Sequence, residues 1–222
     1  MEGSRHLPAP DPTAGPLAPA FRDGRRQRLR VGTVLFTEGD ASSRVVLMVS
    51  GRVKISTFSD DGQETVLAFR GAGDVLGELA AIDDADHMAT VTVVEEGEAL
   101  IVPANRFLAT LETEPGVALA LLRSVIGRLR DADRLRAEFL ALDVTGRVAQ
   151  RLIELAAAYG TPVETGTKIA LPLSQRELAG WVGASREAVN KALAQLEDRE
   201  LILRDHGSLV VRDVEGLRRR AS

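Results

Sequence analysis

The chain has 222 residues, of which 45% are hydrophobic, and its formal net charge at pH 7 is −4. This length and composition are typical of a globular protein with two modest domains. No apolar run approaches the roughly 18 residues of a membrane helix and no hydrophobic signal core is present, so we expect a cytoplasmic protein without membrane contact. The absence of cysteine excludes disulfides, thiolate-bound metals and cysteine-held iron–sulfur clusters.

The N-terminal half changes character twice. Residues 1–20 hold most of the prolines together with Ala, Gly and Thr, and this composition predicts a disordered tail. The next ten residues, 21–30, carry five arginines and leave two interpretations open, a nucleic-acid-binding arm or a solvated lead-in to the first strand. Short β-rich runs separated by turn signals follow from residue 31 to residue 103. Their spacing predicts a β-sandwich or barrel domain over residues 21–115.

A long amphipathic helix is predicted over residues 116–142, where apolar residues recur every three or four positions. Such a helix would run about 40 Å at 1.5 Å per residue, longer than one small β-domain needs. We therefore favour packing against a partner helix through Leu122, Val125 and Leu129 over packing on its own domain alone. Asp143 lies at the join to the C-terminal domain and is the predicted hinge.

Residues 174–196 predict two capped helices joined by a short turn. Ser174 and Glu177 have the spacing of a capping box for the first helix. Gly183 suits the left-handed residue that ends a helix, and Ser185 can cap the second helix.

The second of these helices has a charged face near its N-terminal end, formed by Arg186, Glu187, Asn190 and Lys191. Arg and Lys can donate to guanine and Glu can accept from cytosine when the start of a helix enters the major groove. The same face is also compatible with a plain solvated surface, since Glu followed by Lys four residues later is a favoured ion pair. The DNA-reading interpretation is favoured by a predicted hairpin over 201–212, because helix-turn-helix and hairpin together make a winged helix.

The charge of the chain is distributed unevenly. Residues 144–222 carry 12 Lys and Arg against 10 Asp and Glu, a net of +2, whereas residues 1–143 carry 16 against 22, a net of −6. The C-terminal region is therefore the basic one, as expected of a DNA-binding domain, although the excess is small.

The chain resembles the Crp/Fnr superfamily of bacterial transcription regulators in three segments: GDVLGELAAI (73–82), LDVTGRVAQRLIELA (142–156) and GASREAVNKALAQLEDRELI (183–202). The resemblance implies an α+β fold. It would combine an N-terminal cyclic-nucleotide-binding-type antiparallel β-roll (jelly roll), a long dimerisation helix and a C-terminal winged helix-turn-helix over residues 143–222.

The resemblance also implies roles for residues of the C-terminal domain. The base-reading positions would be Arg186, Glu187 and Lys191, with Asn190 on the same face, and the phosphate contacts would be Gln175 and Ser185. The protein would act as a homodimer on double-stranded DNA with TGTGA-like arms. By analogy alone, the loop over residues 157–168 is a candidate contact for RNA polymerase.

The sensory pocket departs from the pattern that binds cyclic nucleotides. In that pattern Gly-Glu-Leu is followed by Arg-Ser-Ala, whose Arg and Ser hold the cyclic phosphate. Here the first triplet is Gly77-Glu78-Leu79, but the second reads His87-Met88-Ala89. The phosphate therefore loses its charge-assisted arginine partner. The adenine-contacting positions correspond to Ala132 and Asp133, so we expect cAMP binding to be weak or absent, and the sensor to take an unknown small-molecule effector or none.

Other functional classes find less support in the sequence. A haem iron held by His87 is not expected, because a single histidine without cysteine is more often a hydrogen-bonded residue. A cupin-type enzyme would need several clustered metal ligands, and the β-region offers only His87. No catalytic motif is present, so we do not expect an enzyme or a metal site. A DNA-binding architectural protein with a degenerate sensor stays open as an alternative.

Overall fold

The computed structural model describes residues 12–59, 62, 64–169, 175–205 and 208–221. The chain divides into two structural units. The first comprises the residues up to Thr57 together with Leu67–Arg128, and the second comprises Phe58–Val66 and Leu129–Ser222. The division falls inside the long helix, whereas the sequence predicted domain boundaries at either end of that helix.

The first unit holds most of a six-stranded antiparallel sheet, in which β2 and β5 are attached beside the path β1-β6-β3-β4. The strands are β1 (Arg25–Leu29), β2 (Val34–Phe36), β3 (Arg44–Phe58), β4 (Glu64–Arg70), β5 (Val75–Leu76) and β6 (Thr90–Pro103). The two long strands β3 and β6 pair along most of their length. Each of them contains two of the short runs that the sequence pattern predicts as separate strands.

Both faces of this sheet carry buried residues. Successive residues of a strand point to opposite sides, and alternate residues of β3 fall into two different buried clusters. Val45 and Leu47 of β3 join a cluster with Phe107 of the following helix. Val46 and Met48 join a second cluster. The sheet therefore has an inner core and a separate core beneath the helices.

Three helices belong wholly or partly to the first unit: α1 (Glu78–Ile82), α2 (Ala104–Thr113) and α3 (Pro115–Ala141). The long helix predicted over 116–142 is confirmed. Val117 and Leu121 are its buried residues, whereas Leu122 and Leu129 further along α3 are exposed.

Beyond the end of α3, the described residues of the second unit form four further helices and a four-stranded antiparallel sheet of order β7-β8-β10-β9. The elements are α4 (Val144–Tyr159), β7 (Gly160–Val163), β8 (Gly166–Ile169), α5 (Gln175–Val182), α6 (Arg186–Asp198), β9 (Ile202–Asp205), β10 (Ser208–Val211) and α7 (Val214–Arg220). The predicted helix-turn-helix is α5 and α6, and the predicted hairpin is β9 and β10. The loop predicted over 157–168 is the end of α4 and a second hairpin, β7–β8.

The N-terminal prediction needs correction. Residues Pro12–Ala14 and Ala18–Phe21 form two short 3-10 helices. The Phe21 ring lies in the core, 5.8 Å from the Phe107 ring between centroids. The predicted disordered tail is therefore wrong for residues 12–20, because Ala20 and Phe21 supply an apolar anchor; residues 1–11 lie outside the described part of the chain.

The arginine-rich segment 21–30 contains the first strand, and whether its arginines bind nucleic acid stays a prediction. Arg25–Leu29 forms an edge strand that pairs with β6, from Arg25 opposite Ile101 to Leu29 opposite Gly97. In the described part of the chain, no helix is long and apolar enough to cross a membrane.

Candidate DNA-binding surface and effector pocket

The recognition helix α6 is positioned by its cap and by its apolar face. The Ser185 side chain accepts a hydrogen bond from the Ala188 backbone N–H at 3.2 Å, which satisfies one of the free donors at the helix start. Gly183 has a positive φ of 66°, as predicted for the end of α5. Four residues of α6 are buried at the predicted spacing, namely Val189, Ala192, Leu193 and Leu196.

The opposite face of α6 presents the charged side chains. Arg186, Glu187 and Lys191 are all exposed within the first two turns. Their donors and acceptor can therefore reach base edges when the start of this helix enters a groove.

Asn190 is not equivalent to these three residues. It is half-buried, and its side-chain carbonyl oxygen is enclosed without a hydrogen-bond partner among the described residues. Because this oxygen is enclosed, it is not open to contact with a base edge. Leaving a buried acceptor without a partner costs about 1–3 kcal/mol. The structure thus places Asn190 at the edge of the predicted reading face.

The two predicted phosphate contacts lie at helix starts. Gln175 is the first residue of α5 and is exposed. Ser185 is exposed as well, and its hydroxyl can donate to a phosphate while it accepts the capping bond. Ser174 of the predicted capping box lies outside the described residues.

The wing is tied to the end of α6 by Glu197. The Arg204 guanidinium lies 2.5 Å from the Glu197 carboxylate, and the Arg204 backbone N–H donates to the same carboxylate at 3.0 Å. These hydrogen bonds from Arg204 hold the pKa of Glu197 below its ordinary value. The hairpin therefore begins from a fixed point on the recognition helix.

A cavity of about 130 Å³ lies at the start of α1 in the first unit. Gly77 precedes the helix with a φ of 80°. A Cβ atom at this position would lie 2.8 Å from the Phe36 ring, so the site requires glycine. The predicted pocket residues Gly77, Glu78, Leu79, His87 and Met88 all line this cavity.

Glu78 and Arg128 form the main polar feature of the cavity. Glu78 is only 2% exposed, and the Arg128 guanidinium from α3 donates to its carboxylate at 2.5 Å. Arg128 is missing from the set of pocket residues that the sequence predicts. A signal was available, because Arg128 follows the apolar Leu121 by seven residues and so lies on the same face of α3.

The second triplet of the pocket offers no strong phosphate ligand. The His87 ring is buried against Phe36, with 4.3 Å between ring centroids. Burial lowers the pKa of His87, and the nearby Arg44 charge lowers it further. Met88 is 69% exposed at the rim. Neither side chain supplies the positive charge that a cyclic phosphate needs.

The carboxylates around the cavity also oppose an anion. Among the described lining residues, Glu78, Asp83 and Asp86 carry negative charge and Arg128 carries positive charge. Ala132 and Asp133 are exposed on α3 in the second unit, and their contact with a ligand stays a prediction. No group of three or more metal-ligating side chains occurs in the part of the chain that the structure describes.

The predicted dimer residues of α3 lie on its uncovered side. Leu122 is 54% exposed and Leu129 is 60% exposed, whereas Val125 is half-buried. Asp143 caps α4 by accepting from the Gly146 backbone N–H at 2.8 Å and pairs with Arg220 at 2.5 Å. The hydrogen bond from Arg220 lowers the pKa of Asp143.

Comparison with known proteins gives the same architecture. Residues 26–114 match the cyclic nucleotide-binding domain family, and residues 146–220 match the Crp-like helix-turn-helix domain. The chain is 35% identical over 190 residues, 86% of this chain and 85% of the relative, to a CRP-like cAMP-activated global transcriptional regulator of Mycobacterium tuberculosis. It is 30% identical over 183 residues, 82% of this chain and 81% of the relative, to a cyclic AMP receptor protein of Thermus thermophilus.

A solved structure is similar over the same extent. The c-di-GMP-responsive global regulator CLP of Xanthomonas campestris is 26% identical, with a TM-score of 0.79 over 90% of this chain and 99% of that chain. With its two domain matches and its similarity to full-length regulators, the chain belongs to the Crp/Fnr family of DNA-binding transcriptional regulators.

Proposed function

We propose that the protein acts in the cytoplasm as a homodimer that binds a palindromic DNA site with TGTGA-like arms and regulates transcription. The observation that carries this proposal is the exposure of Arg186, Glu187 and Lys191 on one face of α6, within a Crp-like helix-turn-helix domain. Arg and Lys match guanine and Glu matches cytosine, so this face suits a half-site that contains G·C pairs. Gln175 and Ser185 would set the register through phosphates.

The homodimer is supported by the uncovered side of α3. The same helix of a second copy would cover Leu122 and Leu129. A contact around a two-fold axis would bury these residues in both chains at once. Two recognition helices related in this way read half-sites about one helical turn, or roughly 34 Å, apart. Selection of bound duplexes from a randomised library tests the proposal, which requires a palindrome among the enriched sequences.

We further propose that cAMP does not control DNA binding by this protein. Two relatives are named for cAMP, but here Met88 and a buried His87 of lowered pKa stand where the phosphate ligands are expected. The only guanidinium among the described lining residues, Arg128, is already paired with Glu78. The effector would be another small molecule, or the protein would bind DNA without one. The β7–β8 hairpin is the proposed contact for RNA polymerase.

A further inference from the structure

Arg151 on α4 is a charged side chain that is almost fully buried, with 3% exposure. Its guanidinium donates to Glu154 on the same helix at 2.5 Å and to Glu138 at the end of α3. It also lies over the Trp181 ring of α5, 5.4 Å from the ring centroid. One side chain thus contacts three helices of the second unit.

Only an arginine can make this set of contacts. The guanidinium is planar, so its edge donates to two carboxylates while its face stacks on an aromatic ring. A lysine ammonium at the same place is a point charge and cannot do both. None of the three partners lies on the exposed face of α6, so Arg151 is not placed to touch DNA.

Arg147, one turn earlier on the same face of α4, makes a parallel connection. Its Nε donates to the Val182 carbonyl at the end of α5, and its Nη1 donates to the Leu142 carbonyl after α3, each at 2.9 Å. Carbonyls at helix ends lack partners within the helix, and a cation satisfies them well. Both arginines therefore join the end of α3 to the helix that precedes α6.

A buried ion pair of this kind is an expensive way to stabilise a fold. Taking the charges out of water costs about as much as their attraction returns, and apolar replacements are often as stable. In agreement, burial raises the pKa of Glu138, although Arg151 opposes the rise. A benefit in fixing geometry would explain why charges occupy this place.

We propose that Arg151 is a positioning residue for DNA binding, which holds α5, and through it the recognition helix α6, in a fixed place relative to the end of α3. The inference concerns the DNA-binding activity of the family and does not depend on the sequence of the site, on dimerisation or on the effector.

Trp181 is the only tryptophan in the sequence, so its fluorescence reports directly on this contact. The test compares the wild-type protein with Arg151→Met and Arg151→Lys on a duplex that the wild type has selected. We expect Arg151→Met to shift the Trp181 emission and to weaken DNA binding about three- to thirtyfold, the range of coupling changes in such networks. Arg151→Lys should recover only a small part of the affinity.

The matched control is Arg134→Met. Arg134 contacts the same carboxylates, Glu154 at 3.0 Å and Glu138 at 3.9 Å, but from an exposed position, so its loss should leave affinity nearly unchanged. Circular dichroism at the assay temperature shows that each variant is folded. Wild-type affinity measured in parallel separates failure of this proposal from failure of DNA binding itself.

A substitution at Glu138, the carboxylate partner of Arg151, tests the same contact from its other side. The charged groups that face Glu138 are Arg134 on its own helix and Arg151 and Glu154 on α4. As pH falls, Glu138 gains a proton and Arg151 loses a charged partner, so the DNA affinity of the wild-type protein should decline. The Glu138→Gln variant should bind DNA less tightly than the wild type at neutral pH. Its affinity should also lack the part of the decline that is due to Glu138. If Arg151→Met does not fold, Glu138→Gln and Arg151→Lys decide. The proposal would be overturned if the folded variants bound DNA as tightly as the wild type. It would also be overturned if Arg151→Met and Arg134→Met lost the same amount of DNA affinity.

Discussion

At the scale of single residues, function in this protein depends on which polar groups are left free. On α6, Arg186 and Lys191 are exposed, whereas the Asn190 carbonyl oxygen is enclosed. In the pocket, the Glu78 carboxylate is occupied by Arg128. Residue type alone does not distinguish these cases, because pairing depends on which elements pack together.

The first prediction concerns base reading. Arg186→Ala should cost about 1–3 kcal/mol of binding free energy and relax the preference at one G·C pair, because a bidentate donor to guanine is lost. Gln175→Ala should weaken all sequences evenly, since a phosphate contact carries no sequence information. Arg199→Ala, at the far end of α6, is the control. Quantitative binding to a half-site library measures both effects, and an even loss from Arg186→Ala would contradict its assignment.

The second prediction concerns the cap at Asp143. Its pKa is lowered chiefly by the hydrogen bond from Arg220, from an ordinary value of 3.8. A carboxyl whose pKa falls on folding stabilises the protein above the ordinary pKa, and this contribution is lost as pH falls through the lower folded value. The Asp143→Asn variant keeps a good capping residue but loses the negative charge. Its free energy of unfolding near neutral pH should therefore be lower than that of the wild type by about 1 kcal/mol or less.

The check is the melting temperature of both proteins from neutral pH down to the acid range. The difference between wild type and Asp143→Asn should shrink as pH falls below the ordinary value of 3.8, because the wild-type carboxyl gains a proton in the unfolded state first and in the folded state only at lower pH. A difference that stays constant through this range would show that the Arg220 pair does not contribute.

At the scale of elements, the strength of the hydrophobic pattern decides what the sequence can predict. The bounds of α3 and α6 follow closely from apolar residues at helical spacing. Strand β1 has no such pattern, because Leu29 is its only apolar residue, and it forms through pairing with β6. The β7–β8 hairpin consists of GTPV and GTKI, in which glycine, proline and threonine outweigh the apolar residues. The Glu78–Arg128 pair depends on tertiary packing and has no local signal of comparable strength.

The third prediction belongs to α3. Leu129→Glu places a charge in the proposed seam, where it would be buried against the partner, so the mutant should sediment as a monomer. Arg130→Glu adds negative charge at a neighbouring exposed position and should leave the dimer intact. Analytical ultracentrifugation compares the two. A dimer that persists in Leu129→Glu places the interface elsewhere on the molecule.

At the scale of the whole molecule, the region expected to bind DNA and the region expected to bind an effector carry net charges of opposite sign. The basic excess lies in residues 144–222 and is only +2, so we expect DNA affinity to depend on a few well-placed contacts, which the proposed dimer would make twice. The acidic excess lies in residues 1–143, and the cavity there is lined by more carboxylates than guanidinium groups. We therefore expect the C-terminal region to bind DNA and the pocket to bind a second anion only weakly.

We predict that this regulator binds its site without cAMP. Loss of a buried partner of a phosphate charge costs about 2–5 kcal/mol, which turns a micromolar site into one near the millimolar range. The most direct measurement is the Kd for the selected duplex, by fluorescence anisotropy at neutral pH, with and without micromolar cAMP. We predict the same Kd in both conditions. DNA binding that requires cAMP, or that tightens severalfold when cAMP is added, would contradict the account.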